Sequence, residues 1–397
     1  MGARPPVATK RMSDILVIGA GQAAAEFAAS LREGGFKGPI EIVGEEPWLP
    51  YQRPPLSKKF LAERPAPDTL FLRPQSFWRE KDVTLTLGTA VQSIERAKRQ
   101  VVLADGRAIE YRILVLATGT RARALPLPDV ELAGVHSLRR IDDVRSLRPA
   151  LDQARRIAII GGGYIGLEVA AVVRGEGRAV TVIEAEERVM KRVTSEPISA
   201  FYQKLHRERG VDLRLGARLA AIEGEKRARA LRLEGGETLA SDLVLNATGA
   251  RANDELAASA GLPCEDGIVV DEHARSSDPA IYAIGDCTRF PSRRFGRRVR
   301  LECVQNAIDQ AKCAAAAILG KGAPYDPVPW FWSDQYEVKF QSAGLAEGFE
   351  RLDVIGDPAT ARFSVEYRRG GRLIAIDAVN DGRAYMTGRR RIAQETA

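Results

Sequence analysis

The runs Gly19-Ala20-Gly21-Gln22-Ala23-Ala24 and Gly161-Gly162-Gly163-Tyr164-Ile165-Gly166 share one spacing of small residues, G-x-G-x-x-A and G-x-G-x-x-G. Each is followed at a similar distance by a carboxylate, Glu45 and Glu184. Small residues at these intervals suit one chemistry. The first glycine permits a tight turn, the second lets main chain approach a pyrophosphate, and the third small residue lets helix and strand pack closely. A carboxylate about 20 residues further on can accept the hydroxyls of a ribose.

Such loops work only on a frame that aims them. Residues 15–18 (ILVI) read as a buried parallel strand, 22–33 as a helix closed by Gly34 and Gly35, and 39–43 (PIEIV) as the next strand. The second copy repeats every part: RIAII, then the helix YIGLEVAAVVRGEG, then AVTVI ending at Glu184. In each copy the pyrophosphate belongs at the helix N-terminus, where free N–H groups and the dipole favour an anion. The chain is therefore expected to bind two dinucleotides.

A chain of 397 residues holds two or three domains at about 150 residues each. No apolar run is long enough to span a membrane, and the start, MGARPPVATKR, lacks the apolar core of a secretory leader. A cytoplasmic protein with a disordered tail over residues 1–12 is expected. The four cysteines, Cys264, Cys287, Cys303 and Cys313, have no metal-knuckle spacing and read as free thiols; no metal site is expected. Net charge is +7, and RFPSRRFGRRVR concentrates six arginines between Arg289 and Arg300.

Two nicotinamides would have nothing useful to exchange, whereas a nicotinamide gives hydride and a flavin accepts it. Glu184, Glu186 and Glu187 would repel a 2′-phosphate and so favour NADH; Arg188 is the one neighbour that suits NADPH. Two further stretches assign the copies. YRILVLATGT, ending in Ala117, Thr118 and Gly119, and AIYAIGDCT, with Asp286 directly after a strand, resemble the two FAD signatures of the two-dinucleotide flavoprotein reductases. That resemblance implies an α/β fold with two nested Rossmann-like domains, glutathione-reductase-like, plus a small α+β C-terminal domain. FAD would occupy residues 13–120 and 250–326, NAD residues 121–249, and the C-terminal domain residues 327–397.

The fate of the electrons follows from what is missing. A redox cysteine would come from the first FAD segment, yet no cysteine precedes Cys264. All three histidines, His136, His206 and His273, precede the C-terminal domain, so the acid/base histidine of disulfide reductases has no counterpart. A reduced flavin must then deliver outward, and it can do so one electron at a time, which suits an iron–sulfur acceptor. LPYQRPPLSK, GGGYIGLE, YAIGDC, ECVQNAIDQA and WFWSDQ, in this order, resemble the oxygenase-coupled NADH-dependent ferredoxin reductases from about residue 13 onward. Membership implies reduction of an acidic [2Fe–2S] ferredoxin that feeds a cytochrome P450 or a Rieske-type oxygenase. Two departures are visible. Ala252 stands where the family has proline before Asn253, and the sequence ends with GRRRIAQETA, where the resemblance leads one to expect a further C-terminal segment. Two other readings stay open: a diaphorase or monodehydroascorbate-type reductase with no protein acceptor, and an NADH-sensing, nucleic-acid-binding flavoprotein like apoptosis-inducing factor.

The resemblance also assigns residues. Gly19, Ala20, Gly21, Ala24, Glu45, Arg53, Lys58, Ala117, Thr118, Gly119, Asp286, Val304 and Trp332 would hold FAD. Gly161, Gly163, Tyr164, Ile165, Gly166, Glu184 and Gly249 would hold NADH. Lys58 and Glu168 are expected to pair beside flavin N5, and the helix starting at Val304 to point at flavin N1 and C2=O. Tyr164 either covers the nicotinamide site and swings aside or is a core tyrosine. Arg293, Arg294, Arg297 and Arg298 are expected to dock the ferredoxin, with Trp330 and Trp332 adding apolar contact, an electron path or core.

Overall fold

The computed structural model describes residues 11–127 and 131–395. The tail expected over residues 1–12 lies outside them up to residue 10; Arg11 and Met12 already belong to the first strand. The chain forms two compact units, each gathered from separate stretches. One comprises residues up to Gln52, Leu70–Arg121 and Arg251–Pro327; the other Arg53–Thr69, Ala122–Ala250 and the residues from Val328 on.

In the first unit, strand Arg11–Ile18 pairs in parallel with Ile40–Gly44 on one side and Ala108–Leu116 on the other. Val83–Leu87 extends the sheet beyond Ile40–Gly44, and Ile281–Ala283 returns from far downstream to pair in parallel with Ala108–Leu116. Gln100–Leu103 and Val91–Glu95 add an antiparallel margin. Ile15, Leu16, Val17 and Ile18 are all buried, as a continuous apolar run must be when both faces of a sheet are covered. Helices Gln22–Glu33 and Val304–Ile318 pack together through Ala24, Ala28, Ala311 and Ala314.

The second unit contains an all-parallel sheet in the order Asp212–Leu215, Ala179–Glu184, Arg156–Ile160, Leu243–Asn246, Val135–Ser137. The turn Pro54–Ser57 and the short helix Lys59–Glu63 lie against helix Tyr164–Gly175. The C-terminal stretch is a five-stranded antiparallel sheet, in the order Trp330–Gln335, Val338–Gly344, Arg372–Val379, Arg362–Arg369, Arg351–Asp357. One of its apolar faces joins Phe340, Phe363 and Tyr367 to Leu167, Ile198 and Tyr202. Helix Gly382–Glu395 covers Leu373 and Ile376 with Tyr385 and Ile392. Among the described residues, no helix is long and apolar enough to cross a membrane.

Candidate active site

The two glycine loops are built alike, bond for bond. Gly19 N–H donates to Val43 O at 2.8 Å and Ala117 N–H to Ile18 O at 2.7 Å; in the second copy Gly161 N–H donates to Ile183 O and Ala247 N–H to Ile160 O, both at 2.8 Å. Gly19 and Gly161 have φ of +103° and +104°, and a Cβ on them would lie 2.2 Å from Ala117 O and 2.5 Å from Ala247 O. Only glycine fits on both counts. Ala24 is fully buried, and a Cβ on Gly166 would stand 2.1 Å from Gly161 O, so both third positions are fixed by packing.

Gly21 and Gly163 differ in kind. A Cβ on either would meet nothing within 4 Å. Each is the N-cap of its helix, and neither supplies a side-chain cap. Each loop thus leaves clearance over uncapped helix N–H donors, which is what a pyrophosphate requires. These cradles fit two dinucleotide cofactors.

The carboxylates beyond the two loops are not equivalent. Glu184 ends its strand, and its carboxylate accepts from Gly162 N–H at 2.7 Å and Glu186 N–H at 2.9 Å. At the same level of the first copy stands Gly44, where a Cβ would lie 2.6 Å from Ala20 Cβ; Glu45 is one residue further on and exposed. Around Glu184, Lys191 Nζ lies 2.7 Å from both Glu186 and Glu187. Arg188, the residue that would have suited a 2′-phosphate, donates instead to Thr194 O at 2.8 Å and Ser199 Oγ at 2.7 Å.

The remaining first-unit positions cluster at the same sheet end. Thr118 Oγ1 donates to Asn253 O at 2.7 Å, Asn253 Nδ2 to Thr118 O at 2.8 Å, and Asn253 N–H to Gly119 O at 3.0 Å. Asn253 therefore clasps the ATG turn without the preceding proline, and Ala252 is buried beside it. Gln310 Oε1 accepts from Gly285 N–H at 2.7 Å and Thr288 Oγ1 at 2.9 Å, tying the turn that carries the half-buried Asp286 to helix Val304–Ile318. A Cβ on Gly285 would come within 3.2 Å of Ala23 Cβ, so Asp286 stands beside the start of the first dinucleotide helix. Val304 opens its helix as expected, with Cys303 as N-cap accepting from Asn306 N–H at 3.4 Å. In the second unit, Gly249 O accepts from Arg123 N–H at 2.9 Å, and Arg53 Nη1 donates to Arg139 O at 2.7 Å.

Lys58 Nζ lies 2.9 Å from Glu168 Oε1. On a plain amphipathic helix Glu168 would face water; here its side chain is 4% exposed. Two hydroxyls complete its coordination: Ser57 Oγ donates to Oε2 at 2.5 Å and Ser333 Oγ to Oε1 at 2.6 Å. Sequence reasoning named neither serine. The only available signal was the alternation of WFWSDQ, which puts Phe331, Ser333 and Gln335 on one strand face.

Tyr164, one turn before Glu168, stacks on Phe331 at 4.6 Å between ring centroids and on Phe340 at 5.6 Å, the environment of a core aromatic. Ile165 beside it is 42% exposed. Trp330 and Trp332 lie on the other strand face, 5.7 Å apart, with the Arg389 guanidinium 5.3 Å over Trp330.

The arginine-rich stretch is a hairpin of Thr288–Ser292 and Arg297–Val299. Arg293, Arg297 and Arg298 are exposed. Arg294 is half-buried, and its main-chain N–H donates to Asp326 Oδ2 at 3.0 Å, which ties the hairpin turn to that carboxylate. All four cysteines are free. Burial raises every thiol, Cys264 and Cys313 to about 11 and Cys303 to about 12, so none is a ready thiolate nucleophile.

Two phosphate cradles at the ends of parallel strands, a lysine paired with a buried glutamate and no reactive thiol define a flavin- and nicotinamide-dependent oxidoreductase. The chain belongs to the pyridine nucleotide-disulphide oxidoreductase family, whose model matches residues 13–311, and a "Reductase C-terminal" domain matches residues 330–397. It is 44% identical to rhodocoxin reductase of Rhodococcus erythropolis over 96% of this chain and 90% of that one. It is 42% identical to putidaredoxin reductase of Pseudomonas putida over 92% of this chain and 88% of the relative. The crystal structure of the covalent putidaredoxin reductase–putidaredoxin complex superimposes with a TM-score of 0.93 at 41% identity, covering 96% of this chain and 93% of that one.

Proposed function

We propose that this protein is an FAD-dependent NADH:ferredoxin reductase of the cytoplasm, serving a [2Fe–2S] ferredoxin that supplies a cytochrome P450 or Rieske-type oxygenase. The observation that carries this reading is the match along nearly the whole chain, C-terminal sheet included, to reductases named for their iron–sulfur partners. FAD, when bound, supplies a hydride acceptor that can pass electrons on singly.

The chain's own residues do the rest. Gly19, Ala20 and Gly21 offer main-chain N–H groups to the FAD pyrophosphate, with Ala117, Thr118, Gly119 and Asp286 beside them. Gly161, Gly163 and the helix after them do the same for NADH. Glu184, flanked by Glu186 and Glu187, favours NADH, and Arg188 is spent on Thr194 and Ser199. Lys58 and the buried Glu168 hold opposite charges beside the hydride path, where a fixed pair acts with little reorganisation. Inert thiols leave outward delivery to a protein acceptor. Four free cysteines also suit a reducing compartment.

The test is cytochrome c reduction by NADH with and without a purified [2Fe–2S] ferredoxin. Strong stimulation by ferredoxin is expected. Equal rates with and without it would overturn this reading in favour of a diaphorase.

A further inference from the structure

Glu168 is the end point of a chain of hydrogen bonds that crosses the second unit. Ser333 Oγ donates to Glu168 Oε1 at 2.6 Å, and Gln335 Nε2 donates to Ser333 Oγ at 3.3 Å. His206 Nε2 meets Gln335 Oε1 at 2.9 Å, and Tyr336 Oη lies 3.5 Å from His206 Nδ1. Ser333, Gln335 and His206 are each fully buried.

The chemistry of the atoms sets the direction of this chain. An ionised carboxylate only accepts, so Ser333 must donate to it. The Ser333 oxygen then accepts from the Gln335 amide nitrogen, which leaves the Gln335 carbonyl facing His206. A carbonyl also only accepts, so His206 carries its proton on Nε2, and its Nδ1 is left to accept from Tyr336. Every bond points toward Glu168. The ordering has a purpose in the sequence pattern: Phe331, Ser333 and Gln335, two residues apart on Trp330–Gln335, address in turn Tyr164, Glu168 and His206.

We propose that Ser333, Gln335 and His206 are positioning residues for Glu168, a one-way series of donors that fixes the carboxylate against Lys58 and thereby sets the rate at which NADH reduces the bound flavin. This rests on the reading that Lys58 and Glu168 work at the flavin. The chain is not a proton path, because an amide in its middle does not readily pass protons on. Its product is an orientation. A chain that merely ties strand to helix would show the same bonds but would not link the three residues to one rate.

The near-isosteric Gln335→Glu separates the two cases. A carboxylate at 335 accepts from His206 and also from Ser333, so the Ser333 hydroxyl turns away from Glu168 while the strand keeps its packing. Stopped-flow reduction by NADH should slow about tenfold in Ser333→Ala, the scale of one hydrogen bond to a charged group. Gln335→Glu should slow it by a similar factor, the double variant no further, and Ser333→Thr should restore it. FAD content should not change. Nitrogen-15 NMR of the wild-type protein, with or without FAD, should show neutral His206 protonated on Nε2. A wild-type rate in Gln335→Glu, additive losses in the double variant, or an Nδ1-protonated His206 would overturn the proposal. Only the NADH half-reaction is timed, so failure to reduce any ferredoxin would sink the proposed function and leave this inference standing.

Discussion

Lys58 Nζ and Glu168 Oε1 stand 2.9 Å apart, and Ser57, the residue before the lysine, donates to the other oxygen of the same carboxylate at 2.5 Å. One turn of chain thus supplies both a charge and a hydroxyl to Glu168. Glu168→Gln keeps the shape and removes the charge. Flavin reduction by NADH should slow at least about tenfold, equivalent to about 1.4 kcal/mol in the barrier, with FAD content unchanged. Rapid-mixing absorbance of the flavin is the measurement, and an unaltered rate would remove the pair from the mechanism.

The two glycines of the second loop should respond oppositely to alanine. Gly163 has ordinary φ of −79° and open space, so Gly163→Ala should fold, retain FAD and bind NADH at least about tenfold more weakly. Gly166→Ala drives a Cβ to 2.1 Å from Gly161 O, so it should lower the melting temperature whether or not nucleotide is present. Calorimetric titration with NADH and thermal melts distinguish clearance from packing.

Two buried groups give the stability opposing pH dependences. Burial lowers His206 from 6.5 to about 4, so it contributes stability above pH 6.5 that is lost as pH falls toward 4. Burial raises Asp377 from 3.8 to about 6, against the lowering effect of its bonds from Thr194 and Tyr367; its contribution is full below 3.8 and lost as pH rises through 6. At about 1.4 kcal/mol per pH unit, moving from about pH 7.5 to about pH 5 costs roughly 2 kcal/mol through His206 and returns roughly 1 kcal/mol through Asp377. Relative to wild type, His206→Gln should gain stability over that interval and Asp377→Asn should lose it. Urea midpoints at both pH values measure each; shifts of the reverse sign would contradict the burial argument.

The hairpin predicts where charge matters to the partner. Reversing Arg293, Arg297 and Arg298 to glutamate should raise the KM for an acidic ferredoxin several-fold and leave ferricyanide reduction intact, because a small acceptor needs no docking. The wild-type ferredoxin rate should fall as salt screens these charges over about 8 Å. Arg294, half-buried where the other three are exposed, is left out of the reversal. If the triple variant treats ferredoxin as wild type does, docking lies elsewhere. The C-terminal arginines are poorer candidates, since Arg391 is paired with Glu366 and Glu395, and Arg389 lies over Trp330.

What could be read in advance is what local spacing encodes. Both strand–loop–helix–strand units and the helix start at Val304 follow from period and glycine placement, and the return of Ile281–Ala283 to the first sheet from the resemblance of AIYAIGDCT to a flavoprotein signature. What could not be read depends on contacts between residues far apart in sequence. Ser57 and Ser333 reach Glu168 across 111 and 165 positions, and no periodicity announces them. The clasp of Asn253 on Thr118 spans 135 positions and shows why the missing proline at 252 is tolerated. The half-burial of Arg294 was likewise hidden, because a run of like charges looks the same whether each member faces water or is partly covered.

The return of Ile281–Ala283 to strand Ala108–Leu116 has a consequence for the protein's birth. A ribosome finishes Leu116 long before it reaches Ile281, and at about 5–20 residues per second the interval is on the order of ten seconds. Throughout it, the flank of Leu114, Val115 and Leu116 has no partner strand on that side. The interrupting segment, with its own five-stranded parallel sheet, can complete itself while the earlier one waits. Synthesis thus favours an inside-out order, the inserted sheet maturing first. Synonymous codons that delay residues 250–285 would lengthen the exposure of that open edge, and with it the opening for chaperones or for aggregation.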